Sequence, residues 1–224
     1  MSIKDDLEAV RARIAGAAAA CGRDPASVRL VAVSKTKPAE AIREAYAAGQ
    51  RDFGENYAQE LAEKAKLLAD LEDLRWHFIG HMQSNKAKLI APIAAVVHSV
   101  DAPSLAKELG KRAATAGRTI DALVEVNVGG EATKSGCAPS DIEEVCAAIE
   151  AQPALRLRGV MTMPPPDDLA VAKKVFETLV SLRNLHGGVK RLPELSMGMT
   201  GDLEIAIACG ATMVRVGTAI FGAR

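Results

Sequence analysis

Aromatic side chains make up only 3% of this 224-residue chain, and no basic stripe is interleaved with them. That excludes a stacking platform for nucleic acid. Net charge is also lacking, because 28 Lys and Arg offset 28 Asp and Glu; small or charged partners remain open. Cys21, Cys137, Cys146 and Cys209 are widely spaced and form no Cys-x-x-Cys pair, which argues against a zinc site or a disulfide framework and for reduced, partly buried thiols. The first twenty residues mix acids and bases without a sustained apolar run, so they form neither a secretion signal nor a membrane span, and a cytoplasmic protein is expected. With 49% hydrophobic residues the chain has enough apolar mass for a substantial core.

What is present is alternation. Residues 2–20 carry Ile3, Leu7, Val10 and Ile14 at helical spacing. Strand-like runs follow at 30–34, 52–54, 76–80, 96–100, 123–128, 157–163, 194–197 and 213–216. Helical stretches lie between them, one opened by Pro38 and closed by Gly49, one with Ser140 and Glu143 as a capping box, and one ended by Gly187-Gly188. Each crossover is long enough to return the chain parallel. No Gly-x-Gly-x-x-Gly turn follows the first strand, so a closed (β/α)₈ TIM barrel with an extra N-terminal helix is favoured over an open doubly wound sheet. With no linker or repeat in sight, residues 1–224 are expected to form a single domain.

In such a barrel the residues just past each strand build the active face. The first strand leads into VAVSKTKP (31–38), where period-2 alternation puts Val31, Val33 and Lys35 on one face. Lys35 is therefore either a snorkelling strand-end lysine or a desolvated amine poised as a nucleophile. After strands seven and eight, Gly198-Met199-Thr200-Gly201 and Gly217-Thr218 begin helical turns; together they suit an anion cradle where barrels often hold phosphate. Arg215 shares the inward face with Met213 and Gly217, on the strand next to the first. It is either an ion-pair partner of Glu125 or Glu194, or the partner of a ring nitrogen. A lysine that forms an imine, a phosphate cradle and an arginine facing a ring nitrogen match what pyridoxal 5'-phosphate requires.

The motifs VAVSKTKP, FGENYAQE, WHFIGHMQSNKAKL, TKSG, RGVMTMPPP and LSMGMTGDLEIAIACGATMVRVGTAIFGAR, in this order, resemble the pyridoxal phosphate homeostasis protein family, also called the YggS family. They touch all but one of the strand-loop units. The resemblance implies a single-domain barrel of the alanine-racemase type that holds pyridoxal 5'-phosphate as a Schiff base, without demonstrated catalysis. By the same resemblance Lys35 is the imine lysine, Arg215 faces the pyridine nitrogen, and Thr200, Gly217 and Thr218 hold the phosphate. Asn56 lies near the ring, with Ser196 as a further contact. Thr200 stands where members of the family often have serine, and the hydroxyl is retained.

An arginine donates to the pyridine nitrogen but does not leave a proton on it, so the ring is a weak electron sink. Racemisation needs a second acid–base residue opposite the lysine. Alanine racemases take theirs from an additional C-terminal β domain, which is not expected here because the sequence ends at Arg224. Tyr46 suits packing, and Tyr57 either approaches the ring or covers apolar surface. His77 lies within the third strand and His81 beyond its end at Gly80, which gives no shared ligand face and argues against a metal, and His98 and His186 show no partner in the sequence. Lys37, Lys86 and Lys134 form either a basic rim that assists cofactor transfer or ordinary solvated charge.

Three functions follow. The first is a non-catalytic, monomeric pyridoxal phosphate carrier in vitamin B6 homeostasis, with apo pyridoxal-phosphate enzymes as candidate recipients. The second is a pyridoxal-phosphate-dependent amino-acid racemase of narrow specificity. The third is a Schiff-base aldolase without cofactor, against which Arg215 weighs.

Overall fold

A computed structural model describes residues 2–131, 135–165 and 168–223. Eight parallel strands close into a barrel in sequence order: β1 (Arg29–Val33), β2 (Asp52–Glu55), β3 (Arg75–Phe78), β4 (Val96–Val100), β5 (Ile120–Glu125), β6 (Leu155–Met161), β7 (Glu194–Ser196) and β8 (Met213–Val216). The ring is sealed by β8 against β1, in a register that sets Val31 beside Arg215 and Ala32 beside Val216. Closure leaves no unpaired edge. The crossover helices that return the chain include α2 (Ala39–Ala47), α3 (Ala58–Leu67), α4 (Ala87–Ile90), α5 (Pro103–Thr115), α6 (Ile142–Glu150), α7 (Leu169–Leu185), α8 (Gly188–Arg191) and α9 (Leu203–Ala208), and the short α10 (Thr218–Phe221) follows β8. Among the described residues no helix is long and apolar enough to cross a membrane.

The additional helix α1 (Ile3–Ala20) begins where the sequence signals it. Ser2 Oγ accepts from the Asp5 N–H and the Asp5 carboxylate accepts from the Ser2 N–H, a reciprocal cap. Leu7, Val10, Ile14 and Ala18 are buried along one stripe, and the helix packs on α2, α9 and α10. Burial of each large apolar side chain contributes roughly 1.5–3 kcal/mol, enough to hold α1 on the barrel wall.

The main apolar core lies between barrel and helices, with Phe53, Phe78, Leu61, Leu109, Ile142 and Phe176 fully buried in it. Inside the barrel a small separate cluster of Val96, Leu123 and Met161 fills one side. The rest of the interior is unusually polar: His77, His98, Ser196, Glu125 and Arg215 are all buried there.

Several expected boundaries shift. The expected strand 123–128 is observed as Ile120–Glu125, because beyond it the Asn127 N–H donates to the Cys137 carbonyl and the Cys137 N–H to the Glu125 carbonyl, while the Val126 N–H still reaches Met161. The expected run 157–163 is Leu155–Met161, and the expected run 76–80 is Arg75–Phe78. At Gly80 the chain passes so close to β2's loop that a Cβ would fall 2.1 Å from the Asn56 carbonyl oxygen. Only glycine fits there, and the strand has already ended. The capping box at Ser140 and Glu143 does not form: Ser140 Oγ donates instead to the Asp141 carboxylate at 2.7 Å, and α6 starts without a side-chain cap. Gly187, at φ 106°, ends α7 as expected but at once starts the short α8.

Candidate functional site

One cavity of about 330 Å³ opens at the C-terminal ends of the strands. That size is within the usual span of small-molecule sites. Lys35, Asn56, Thr200, Arg215, Gly217 and Thr218 all line it, together with Val33, Ile79, Met163 and Met199. The barrel thus brings together six residues drawn from the loops and strand ends of four different β-α units.

Lys35 stands in the turn between β1 and α2, and three buried or half-buried side chains from α3 and β2 hold that turn. Ser34 Oγ donates to Glu55 Oε1 at 2.7 Å, and Lys64 Nζ donates to the Ser34 carbonyl, to Glu55 Oε1 and to Glu60 Oε1, each at 2.6 Å. Glu60 in turn accepts the Thr36 N–H at 2.6 Å. Both neighbours of Lys35 are thereby fixed. Thr36 has φ 64°, the one non-glycine with a left-handed backbone among the described residues, a conformation that costs a β-branched residue on the order of 1–3 kcal/mol. Burial raises the Glu55 carboxyl above its ordinary value, and the Lys64 and Ser34 bonds oppose that rise.

Arg215 projects from β8 into the barrel and is buried. Nη1 donates to Ser196 Oγ at 2.6 Å and Nη2 to the Thr162 carbonyl at 3.0 Å. Desolvation pulls its guanidinium down to about 10, while the charges of Glu125 and Asp202 oppose the fall. It remains a cation near neutrality. Glu125 senses that charge, but burial and Asp101 outweigh it and push the Glu125 carboxyl up to about 7. The other acid considered for Arg215, Glu194, is engaged elsewhere, accepting from Thr212 Oγ1 at 2.6 Å and lying 3.9 Å from Arg29.

The loops after β7 and β8 meet through their hydroxyls, with Thr218 Oγ1 donating to Thr200 Oγ1 at 3.1 Å. Gly198, at φ 96°, makes the first loop possible, since a Cβ there would fall 2.6 Å from Ala206 Cβ. The Met199 N–H is taken by the Asp202 carboxylate, which anchors the loop to the start of α9. From outside, Arg13 of α1 donates to the Thr200 carbonyl at 2.9 Å and grips Glu204 of α9 at 2.7 and 3.0 Å. The N-terminal helix thus braces the cradle, a role sequence patterning did not reveal.

Asn56 Oδ1 is buried without a hydrogen-bond partner at the cavity wall. An orphaned acceptor on the same wall as a buried cation and a pair of hydroxyls fits a polar ligand carrying both donor and acceptor groups better than an apolar one.

Other sequence expectations fall differently. Lys37 lines the cavity but is tied to the Ala223 carbonyl at 2.8 Å, so it is not simply solvated charge. Lys86 lies in an adjoining recess with Tyr57, His81 and Gln83, and Lys134 is outside the described residues. Tyr57 is half exposed at that recess. Tyr46 bonds Asp73 and stacks under Arg51. His98 does have partners, His77 at 2.9 Å and Ser196 at 2.8 Å, and His186 bonds Glu143 at 3.1 Å. The four cysteines are free thiols; burial pushes Cys137 up to about 12 and Cys146 up to about 11. Among the described residues no three His, Cys, Asp or Glu side chains converge as metal ligands.

A barrel with a lysine, an arginine and two joined hydroxyl-bearing loops at its mouth defines a class, and comparison with known proteins refines it. The family model described as the alanine racemase N-terminal domain matches residues 6–224. The pyridoxal phosphate homeostasis protein of Pseudomonas aeruginosa is 51% identical over 225 residues, covering 100% of this chain and 96% of that one; its namesake in Escherichia coli (strain K12) is 44% identical over 228 residues, covering 99% and 97%. PipY of Synechococcus elongatus, whose structure has been solved with PLP bound, superposes with a TM-score of 0.84 at 37% identity and covers 99% of this chain and all of its own. The chain belongs to the pyridoxal phosphate homeostasis protein family, within the alanine racemase N-terminal-domain fold.

Proposed function

We propose that this protein holds pyridoxal 5'-phosphate reversibly on Lys35 and serves intracellular pyridoxal phosphate homeostasis rather than turning over a substrate. The observation that carries this is the placement of Lys35 and Arg215 on the walls of one 330 Å³ cavity, with the Thr200 and Thr218 hydroxyls on the same surface. Lys35 supplies the amine that captures the aldehyde. Thr200, Gly217 and Thr218 bind the phosphate, Arg215 donates to the pyridine nitrogen, and Asn56 takes a polar group at the ring. When bound, the cofactor supplies an electrophilic carbon and an electron-withdrawing ring.

The residues around it favour storage. Arg215 is a buried cation that keeps its own protons, so it leaves the ring a weak electron sink. Tyr46 is committed to Asp73, and Tyr57 lies half exposed at the neighbouring recess, which leaves neither tyrosine placed as a second base across from Lys35. We read the protein as a cytoplasmic monomer of one domain whose recipients are apo forms of pyridoxal-phosphate enzymes.

The test is a transfer experiment in deuterated buffer. The loaded protein is expected to restore activity to an apo pyridoxal-phosphate enzyme while leaving the α-hydrogen of free amino acids unexchanged. Rapid exchange of that hydrogen would overturn the carrier reading in favour of a racemase.

A further inference from the structure

A continuous line of hydrogen bonds runs through the barrel from floor to mouth. His77 Nε2 lies 2.8 Å from Asp52 Oδ1, His77 Nδ1 lies 2.9 Å from His98 Nε2, His98 Nδ1 lies 2.8 Å from Ser196 Oγ, and Arg215 Nη1 donates to that same oxygen at 2.6 Å. His77, His98 and Ser196 are fully buried, and Asp52 keeps 16% of its side chain exposed at the opposite end, in a cleft shared with Arg11, Arg29 and Arg51. No part of this line except Arg215 lines the cofactor cavity.

Its direction is fixed from both ends. Burial would raise Asp52, but the His77 bond and the charges of Arg75 and Arg29 hold its carboxyl below the ordinary value, so it only accepts. Burial depresses His77, and burial with the charge of Arg215 depresses His98 well below its ordinary value, so both rings are neutral. A neutral His77 that donates from Nε2 to Asp52 must accept at Nδ1. His98 therefore donates from Nε2 and accepts at Nδ1, and the Ser196 hydroxyl must be the donor to it. Arginine has no acceptor, so Ser196 Oγ receives from Arg215. Every proton points the same way, and each bond polarises the next toward the carboxylate.

We propose that Ser196, His98, His77 and Asp52 are positioning residues for Arg215: a one-way hydrogen-bond chain that fixes the guanidinium as a donor at the ring end of the cofactor site and ties that end to the barrel floor. This rests on the proposed cofactor function, but the chain itself is testable without cofactor.

Nitrogen-15 NMR of the histidine-labelled apo protein is expected to show Nε2–H, with Nδ1 unprotonated, on both His77 and His98; an Nδ1–H tautomer or an imidazolium at either ring overturns the chain. With nitrogen-labelled pyridoxal 5'-phosphate, His77→Phe, three hydrogen bonds from Arg215, is expected to shift the pyridine nitrogen signal and weaken cofactor affinity about tenfold. Borohydride trapping on Lys35 at saturation and affinity for inorganic phosphate should be unchanged. Asp52→Asn, at the partly exposed floor, keeps an acceptor without its charge and is expected to give a smaller shift in the same direction. A pyridine signal and affinity identical to wild type in both variants overturn the positioning role. Failure of the wild type to bind cofactor overturns the proposed function and the ring-end role with it, while the apo tautomers report on the chain alone.

Discussion

Lys64 and Glu55 meet at 2.6 Å with both side chains buried, and the same ammonium reaches the carbonyl of Ser34, the residue before Lys35. A buried charge pair next to the Lys35 turn is a positioning device for that turn.

Lys64→Met removes the clamp and leaves Glu55 without its cation. Stripping one partner from a buried pair costs roughly 3–5 kcal/mol, lowered here if Glu55 takes up a proton. Urea unfolding should show that loss. The rate of borohydride-trappable adduct formation at Lys35 should fall well beyond the change in phosphate affinity, because the Thr200 and Thr218 loops do not touch the clamp.

Arg13→Ala releases the brace on the Thr200 carbonyl. Its ion pair with Glu204 is half exposed on both sides, so global stability should change by no more than about 1 kcal/mol. Isothermal titration should show affinity for both inorganic phosphate and cofactor falling several-fold, with full trapping on Lys35 at saturation.

Glu125 gives a pH signature in the cofactor-free protein. Its folded value, raised to about 7 by burial, exceeds the unfolded one, so the folded state holds the extra proton and stability drops as pH rises from the ordinary carboxylate value to about 7. His77 and His98, depressed by burial, act oppositely below about pH 6.5. The observable is therefore the difference from Glu125→Gln: relative to wild type, the variant should gain stability between about pH 5 and about pH 8, by at most roughly 3 kcal/mol. Parallel urea midpoints across that range would contradict it.

Eight strands were legible because alternation and glycine punctuation are local signals, and the places of Lys35, Arg215, Thr200 and Thr218 at the cavity followed from their positions at strand ends. The devices that hold those residues were not legible, since their partners are remote: Arg13 and Glu204 are 191 residues apart, and His98 and Ser196 are 98 apart. His98 showed no partner in the sequence because none lies near it along the chain. Ser140 illustrates the reverse failure, a correct local motif overruled when Asp141 offered its hydroxyl a closer acceptor.

The most direct measurement is peptide mapping after borohydride reduction of the protein incubated with stoichiometric pyridoxal 5'-phosphate. A single modified residue, Lys35, with modification lost in Lys35→Ala, is predicted. Modification spread over surface lysines, or unchanged in Lys35→Ala, would contradict it.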